Sequence, residues 1–241
     1  GIDLSVGSLV ALSSVICAWF VVNVAGAGNA TAIGMVFSCL GGILVCGGVG
    51  LFTGTMVTRF RIPPFIVTLA MMLVASGFAY MIAQGTSIYN VPDSFTWLGR
   101  GMFAGIPVAV ILMLILYAGA HVIMSKSKLG RAIYAVGGNP EAARLSGIRV
   151  NRVLVWVYIV CGLLAGLGGV ILASQLKSGS PTYGNMYELY TIAAVVVGGT
   201  SLMGGEGKMV GTLTGAFIIG IINNGMNLLG VDAYAQKVVL G

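Results

Sequence analysis

The sequence predicts an all-α fold, a polytopic integral membrane bundle of about seven spans. Of its 241 residues, 58% are hydrophobic and only 7% are charged, whereas about a quarter of the residues of a soluble domain are charged. Several apolar runs reach the roughly 20 residues that an α-helix needs to cross a bilayer. The 38 glycines are also typical of membrane helices, because small residues let neighbouring backbones approach closely.

The apolar runs place seven spans in order along the chain. They are predicted at Leu4 to Ala25, Thr31 to Val57, Phe65 to Gln84, Met102 to Met124, Val153 to Ser174, Leu189 to Met203 and Met209 to Leu229. The sixth is shorter than a full span and ends in the glycine-rich string "GGTSLMGGEGK". We expect it to be a broken or re-entrant helix, which a membrane tolerates only where the backbone is buried or lines a water-filled cavity.

Basic residues set the predicted orientation, because cytoplasmic loops carry an excess of lysine and arginine. Arg59 and Arg61 lie between spans two and three, and six basic residues fall in the loop 125–152, between spans four and five. Both loops are therefore predicted to be cytoplasmic and the loop Gly85 to Gly101 to lie outside. The net charge of +6 then reflects topology rather than a nucleic-acid surface.

The titratable residues do not form a recognisable catalytic set. The six carboxylates fall mostly at predicted span ends or in loops, and they do not pair in one pocket: Asp3, Asp93, Glu141, Glu188, Glu206 and Asp232. Nor is there a Walker A loop, since Leu202 stands where its first glycine is needed and Met209 replaces the serine or threonine after Lys208. We therefore predict no enzyme activity and no cofactor in this chain.

The four cysteines and the single histidine do not have the spacing of a metal-binding motif either. Cys17, Cys39, Cys46 and Cys161 all lie in apolar spans outside any CxxC pair, which favours small buried hydrophobic residues. His121 has no second ligand at helical spacing, so a structural role is favoured over a metal site or a proton relay.

The segment "GNPEAARLSGIRVNR" is unusually polar for this chain and predicts a short cytoplasmic helix from Pro140 to Ser146. Asn139 suits the N-cap, proline suits the first helical position, and Gly147 suits the helix end. A helix this short is unstable in isolation, and Ala142 and Ala143 would let a partner approach closely. Two interpretations stay open, docking on a partner protein or contact with anionic lipid headgroups.

The seventh span has two distinct faces in helical projection. Gly211 and Gly215 share one side with the spacing of close helix packing, and the other side carries the three amides Asn223, Asn224 and Asn227. Amides facing lipid would be costly, so these side chains should meet either a neighbouring helix or a solute path. Both possibilities stay open at this point.

Three strings resemble the ribose-type sugar permeases of ATP-binding-cassette importers: Gly1–Leu9, Leu129–Ile148 and Ala193–Val231. Within the second, Glu141, Ala142 and Ala143 followed by Gly147 are similar to the signature of the cytoplasmic coupling helix in such permeases, although its downstream hydrophobic-proline part is missing. The resemblance implies a single transmembrane permease domain over 1–241, with residues 125–152 as its coupling loop. Because the sequence starts without Met and stops within an apolar run, we expect the domain to be incomplete at both ends.

By this resemblance the chain is a multi-pass permease subunit of the bacterial cytoplasmic membrane. It would pair with a second copy, receive a sugar from an extracytoplasmic binding protein and be driven by ATP on a separate ATPase subunit, contacted through Glu141, Ala142, Ala143 and Gly147. An ion-coupled secondary transporter or a passive channel is the alternative. The spans hold few ionisable groups, which disfavours proton coupling and favours a neutral, hydroxyl-rich solute.

Overall fold

The computed structural model describes residues 1–240, and the prediction of an all-α membrane bundle is confirmed. The helices are α1 (Val6–Asn23), α2 (Ala32–Arg59), α3 (Pro64–Ile82), α4 (Trp97–Arg100), α5 (Val108–Lys126), α6 (Lys128–Gly138), α7 (Pro140–Leu145), α8 (Val150–Leu176), α9 (Tyr187–Val197), α10 (Met209–Leu228) and α11 (Ala233–Leu240). Short 3₁₀ turns occupy Ala27–Asn29 and Asp93–Thr96, and the antiparallel strands β1 (Met102–Phe103) and β2 (Ile106–Pro107) form one small hairpin.

Within the described residues, six helices are long and apolar enough to cross a membrane: α1, α2, α3, α5, α8 and α10. The predicted sixth span is instead the 11-residue helix α9, whose length of about 16 Å covers roughly half of a 30 Å hydrocarbon layer. It ends at Val197 rather than Met203, because Gly199, Gly204 and Gly205 then take positive φ angles that do not continue a right-handed helix.

The predicted fourth span also begins later than its apolar run. Residues 102–107 form the hairpin, and its two central residues, Ala104 and Gly105, have φ angles of +50° and +80°. Positive φ at both positions is the type I′ geometry that fits the twist of a tight hairpin. Helix α5 therefore starts only at Val108.

The predicted coupling loop 125–152 is mostly helical. It contains α6, which the sequence reasoning missed, as well as α7 and the start of α8. Ser127 caps α6, its hydroxyl oxygen accepting the Gly130 N–H at 3.0 Å, and the Tyr134 hydroxyl donates to the carbonyl of Gly207 at 2.7 Å.

The chain divides into two compact units. The first comprises Gly1–Leu116 and Ala143–Glu188, and the second comprises Tyr117–Ala142 and the described chain from Leu189 onward. In the first unit α8 packs on α1 and α2, and α1 also packs on α3. Two-thirds of α1 is buried, so this helix forms the centre of its unit.

Helices α2 and α8 run antiparallel in close backbone contact. A Cβ atom on Gly54 would lie 2.9 Å from the Cα of Val155, and one on Gly166 would lie 2.9 Å from the Cα of Ile43. Glycine is needed along this interface because any side chain would meet backbone rather than a flexible group. The end of α2 therefore lies beside the start of α8, which places Arg59 at the same end of the unit as the basic residues that begin α8.

The loop between α3 and α5 is fixed to the far end of α8. The N–H of Gly99 donates to the Ser174 hydroxyl at 2.8 Å, and that hydroxyl donates to the Phe95 carbonyl at 2.6 Å. At the surface Asp93 forms an ion pair with Lys177. This ammonium holds the pKa of Asp93 below its ordinary value, with a smaller contribution from Arg100, so the carboxylate stays charged at neutral pH.

These contacts support a testable orientation in the membrane. Within the first unit Arg59 and Arg152 lie at one end of α8 and the Asp93 loop is fixed to its other end. Because Lys128 belongs to the same predicted cytoplasmic loop as Arg152, single cysteines at Lys128→Cys and Asn90→Cys should react from opposite sides of intact cells. The labelling uses an impermeant thiol reagent in a background that lacks the four native cysteines. We expect only Asn90→Cys to react from outside, and labelling of both positions from one side would overturn the orientation.

Candidate functional site

The N-terminus of α7 has the predicted cap. The side-chain oxygen of Asn139 accepts the backbone N–H groups of Glu141 and Ala142, both at 3.0 Å, and Pro140 occupies the first helical position. These bonds satisfy donors that the start of a helix leaves unpaired.

The C-terminus of α7 is closed by glycine, also as predicted, although the helix ends at Leu145, one residue early. Gly147 has a φ angle of +82°, its N–H donates to Arg144, and the next N–H, of Ile148, donates to Ala143, both at 3.0 Å. This pattern caps the last carbonyls and needs a residue that tolerates the left-handed conformation.

The exposed face of α7 differs from the expected one. Ala142 is exposed, but Ala143 is buried, with only 3% of its surface exposed. The expectation that both alanines face a partner is therefore wrong for Ala143. The exposed face of the helix includes Leu145, which is 89% exposed.

A second candidate site is a polar cleft of about 270 Å³ within the first unit. Three elements contribute to it, namely α1, α3 and the chain that leads into α9. Its lining residues are Gly7, Ser8, Ala11, Met72, Leu73, Ser76, Tyr80, Pro181, Thr182, Tyr183, Gly184, Asn185 and Glu188.

The cleft exists because the chain is not helical between α8 and α9. Lys177 ends α8 in the left-handed conformation, with φ +54°, and the following segment 178–186 packs along α1. A Cβ atom on Gly179 would lie 2.6 Å from the Cβ of Ala18, and one on Gly184 would lie 3.0 Å from the Cβ of Val10. Glycine therefore lets this backbone approach α1 closely, and its burial there is what an irregular segment inside a membrane requires.

Hydroxyl groups hold the segment in place. The Ser178 and Tyr183 hydroxyls are 2.5 Å apart, and those of Ser180 and Thr182 are 3.0 Å apart. The Ser87 hydroxyl donates to Ser180 at 2.8 Å from the neighbouring loop. The polar wall of the cleft is thus positioned by hydrogen bonds rather than by a regular helix.

Glu188 is the one carboxylate among the residues that line the cleft. It is half-buried and its Oε2 lies against Gly7, in the space that a Cβ atom on that glycine would need. Met72 and Leu73, which line the same cleft, are the ninth and tenth of the 19 residues of α3. The cleft that this carboxylate lines therefore reaches the middle of the apolar helix α3.

Sequence reasoning missed this carboxylate because it placed the residue just outside a predicted span. The available signal was the order of residues before it, since Pro181, Gly184 and Asn185 interrupt any helix that would carry Glu188 to a membrane surface.

The packing face of α10 is where the sequence placed it. A Cβ atom on Gly215 would lie 2.8 Å from the backbone nitrogen of Gly198, and one on Gly211 would lie 3.2 Å from the carbonyl carbon of the same residue. Both glycines therefore bring α10 against the end of α9, and the predicted close packing is confirmed.

The amide face of α10 is largely open. Asn224 and Asn227 are exposed and Asn223 is half-buried, and the Asn227 side-chain oxygen accepts the Gln236 amide at 2.9 Å. None of the three asparagines is among the residues that line the cleft. Across the described residues, no three side chains of the metal-binding types gather into a possible metal site.

Comparison with known proteins assigns the chain to a family. The family described as "branched-chain amino acid transport system / permease component" matches residues 1–241, the whole sequence. The chain belongs to this permease family. As a permease component it has a transport role, and the six apolar helices agree with multi-pass membrane localisation.

The permease has close relatives among importer subunits. It is 45% identical to the ribose import permease protein of Escherichia coli (strain K12) over 99% of this chain and 73% of the relative. Identity is also 45% to the ribose import permease protein of Bacillus subtilis (strain 168), over 100% and 73%. It is 38% to the D-allose transport system permease protein of Escherichia coli (strain K12), over 100% and 72%. No solved structure matches the permease significantly.

These relatives confirm the predicted resemblance to sugar permeases of ATP-binding-cassette importers. A permease of this class acts with an ATPase component and a substrate-binding component. The permease component of such an importer supplies the route through the bilayer.

Proposed function

We propose that the permease imports a monosaccharide across the bacterial cytoplasmic membrane, driven by ATP hydrolysis on a separate subunit. The observation that carries this proposal is the 45% identity to ribose import permeases along essentially the whole chain. Other relatives are named for D-allose and L-arabinose transport. All three are neutral solutes rich in hydroxyl groups.

The cytoplasmic helix α7 supports a docking role on the ATPase. Its capped ends make it a defined element despite its length, and Ala142 and Leu145 give it an exposed face with a large apolar side chain. Ala143 is buried, and we infer that movement of the docked, exposed face is transmitted to the rest of the permease through this buried side of the helix. In this proposal Glu141 and Gly147 set the two ends of the docking helix. Contact with anionic lipid headgroups is the competing role for the same surface.

Two further partners are those expected of an importer of this class, a binding protein and a second permease copy. An extracytoplasmic binding protein would deliver the sugar at the end of the unit that carries the Asp93 loop. A second permease copy would complete the transporter, and α5 offers an apolar surface for such contacts, since none of its side chains is buried within the chain.

Reconstitution in lipid vesicles tests the proposal directly. The permease is combined with its ATPase and its binding protein, and uptake of D-ribose, D-allose, L-arabinose and L-leucine is measured. We expect uptake of at least one sugar that requires ATP and disappears with a hydrolysis-deficient ATPase. Sugar uptake without the ATPase would identify a channel, and uptake that follows a sodium gradient would identify a secondary transporter. Selective leucine uptake would contradict the sugar assignment.

We further propose that Asn223, Asn224 and Asn227 border the solute path, where amides can exchange hydrogen bonds with sugar hydroxyls. In the reconstituted transporter Asn223→Leu and Asn227→Leu, made singly, should reduce sugar uptake about tenfold, because each removes one hydrogen-bonding group worth roughly 1 kcal/mol and leaves a sugar hydroxyl unpaired at further cost. Basal ATP hydrolysis should be unchanged. Loss of dimers, or normal uptake, would instead show that these amides serve packing or no path at all.

A further inference from the structure

We infer that the cleft between α1, α3 and the segment 178–186 binds the sugar during passage, with the Glu188 carboxylate accepting hydrogen bonds from its hydroxyl groups. This inference rests on the proposed sugar import and adds the site that the solute occupies inside the permease. Four features of the cleft support it, namely its depth, the chemistry of its lining, its charge and its size.

Depth is the first feature. The α3 residues that line the cleft begin with Met72 and Leu73, at the midpoint of their helix. They end with Tyr80, close to the end of α3 at Ile82. The cavity therefore extends from the middle of the span toward the side that carries the Asp93 loop, which is where a solute would arrive.

The chemistry of the lining suits a neutral polyol. Ser8, Ser76 and Thr182 present hydroxyl groups, Asn185 presents an amide, and Glu188 presents a carboxylate. Hydroxyls and the amide can donate and accept, and an ionised carboxylate offers about four acceptor sites. Glu188 can therefore bind sugar hydroxyls in addition to its contacts within the protein.

The charges of the residues that line the cleft restrict the class of ligand further. None of the described residues that line the cleft is lysine, arginine or histidine. A phosphorylated sugar or the carboxylate of an amino acid would have no cation to neutralise it and would be repelled by Glu188. A ring of neighbouring hydroxyls, by contrast, matches the two oxygens of the carboxylate without adding charge.

Size points to one small solute. The volume of about 270 Å³ lies just below the range of roughly 300 to 1,000 Å³ that holds drug-sized ligands. A monosaccharide is small enough to fit within this volume.

A carboxylate in the middle of a membrane protein is expensive and is commonly retained for function. The purely structural alternative is that Glu188 only fastens the start of α9 against Gly7. The two roles differ in a measurable way, because a structural carboxylate should affect assembly and a binding carboxylate should affect the solute.

The central experiment compares Glu188→Gln with the wild-type transporter in vesicles, at saturating sugar-loaded binding protein. We expect sugar uptake to fall roughly tenfold or more, because a hydrogen bond to a charged group is replaced by a weaker neutral one. Permease yield and its assembly with the ATPase should remain at the wild-type level, which a structural carboxylate would not allow. Glu206→Gln is the matched control, since it removes an exposed carboxylate that lies outside the cleft, and it should leave uptake unchanged.

A second measurement reports binding without transport. Ser76→Cys places a thiol in the cleft of a permease lacking the native cysteines, and D-ribose alone, without binding protein, should slow its reaction with a small maleimide. The same sugar should not slow labelling of Asn90→Cys, which lies in an exposed loop. If Glu188→Gln fails to accumulate, this protection assay still decides whether the sugar occupies the cleft.

The outcomes distinguish failure of the inferred binding site from failure of the proposed function. Wild-type uptake of sugar with an unaffected Glu188→Gln variant, or with no protection of Ser76→Cys, would overturn the site and leave the proposed function standing. Absence of sugar uptake by the wild type would overturn the proposed function itself.

Discussion

Gly50→Val should prevent the permease from folding to a monodisperse protein. A Cβ atom at this position of α2 would meet the backbone carbonyl group of Tyr158, and it would lie 3.1 Å from the Cα of Ile159. Backbone atoms cannot rotate away, so α2 and α8 would have to separate along their whole contact. Overpacking typically costs about 1 to 3 kcal/mol, and we expect a value at or above the top of that range because no side chain can yield.

The measurement is the yield of monodisperse permease in detergent, together with its thermal unfolding temperature. Gly48→Val is the matched control, since the same substitution two residues earlier meets nothing within 4 Å and should leave both values close to wild type. Equal behaviour of the two variants would contradict the close packing of α2 on α8.

Gly147→Val should uncouple the permease from its ATPase while leaving the membrane bundle intact. A side chain at this position would meet nothing within 4 Å, but the φ angle of +82° is strained for a β-branched residue. The strained backbone conformation costs about 1 to 3 kcal/mol and destabilises the end of α7. This helix has six residues and little stability of its own. We expect sugar-stimulated ATP hydrolysis to fall at least tenfold, with yield and thermal stability near wild type.

Asparagine provides the control for this position, because it tolerates the left-handed conformation better than other residues. Gly147→Asn should therefore retain most of the coupled activity. If Gly147→Val and Gly147→Asn reduce activity equally, the loss is caused by the added side chain rather than by strain in the backbone. If neither has an effect, α7 is not the docking element and its contact is with lipid.

Features that depend on local sequence were predicted well. Long apolar runs predicted the spanning helices. The residues from Asn139 to Gly147 predicted both ends of α7, because capping acts between residues a few positions apart. The spacing of Gly211 and Gly215 gave the packing face of α10 for the same reason. Helix α6 was missed because it is amphipathic rather than apolar, although Ser127 is a conventional N-cap.

The cleft could not be predicted from the sequence, because residues that are far apart in the sequence form it. Whether the chain near Gly184 continues as a helix or extends along α1 depends on contacts with residues such as Val10, which hydropathy averaged over a window does not include. Glu188 therefore appeared to lie at a span boundary. Helical projection similarly identified the asparagine face of α10 but gave no information on what that face contacts.

The irregular segment 178–186 has a consequence for biogenesis. Ser14 and Ser180, which are hydrogen-bonded through the Ser14 hydroxyl at 3.3 Å, are 166 residues apart in sequence. During synthesis the ribosome must therefore complete α8 and the segment itself before this backbone can settle against α1, and lipid offers its amide groups no substitute partner. Helix α1 precedes α8 in the chain, so it has to remain accessible until the later segment 178–186 has been synthesised.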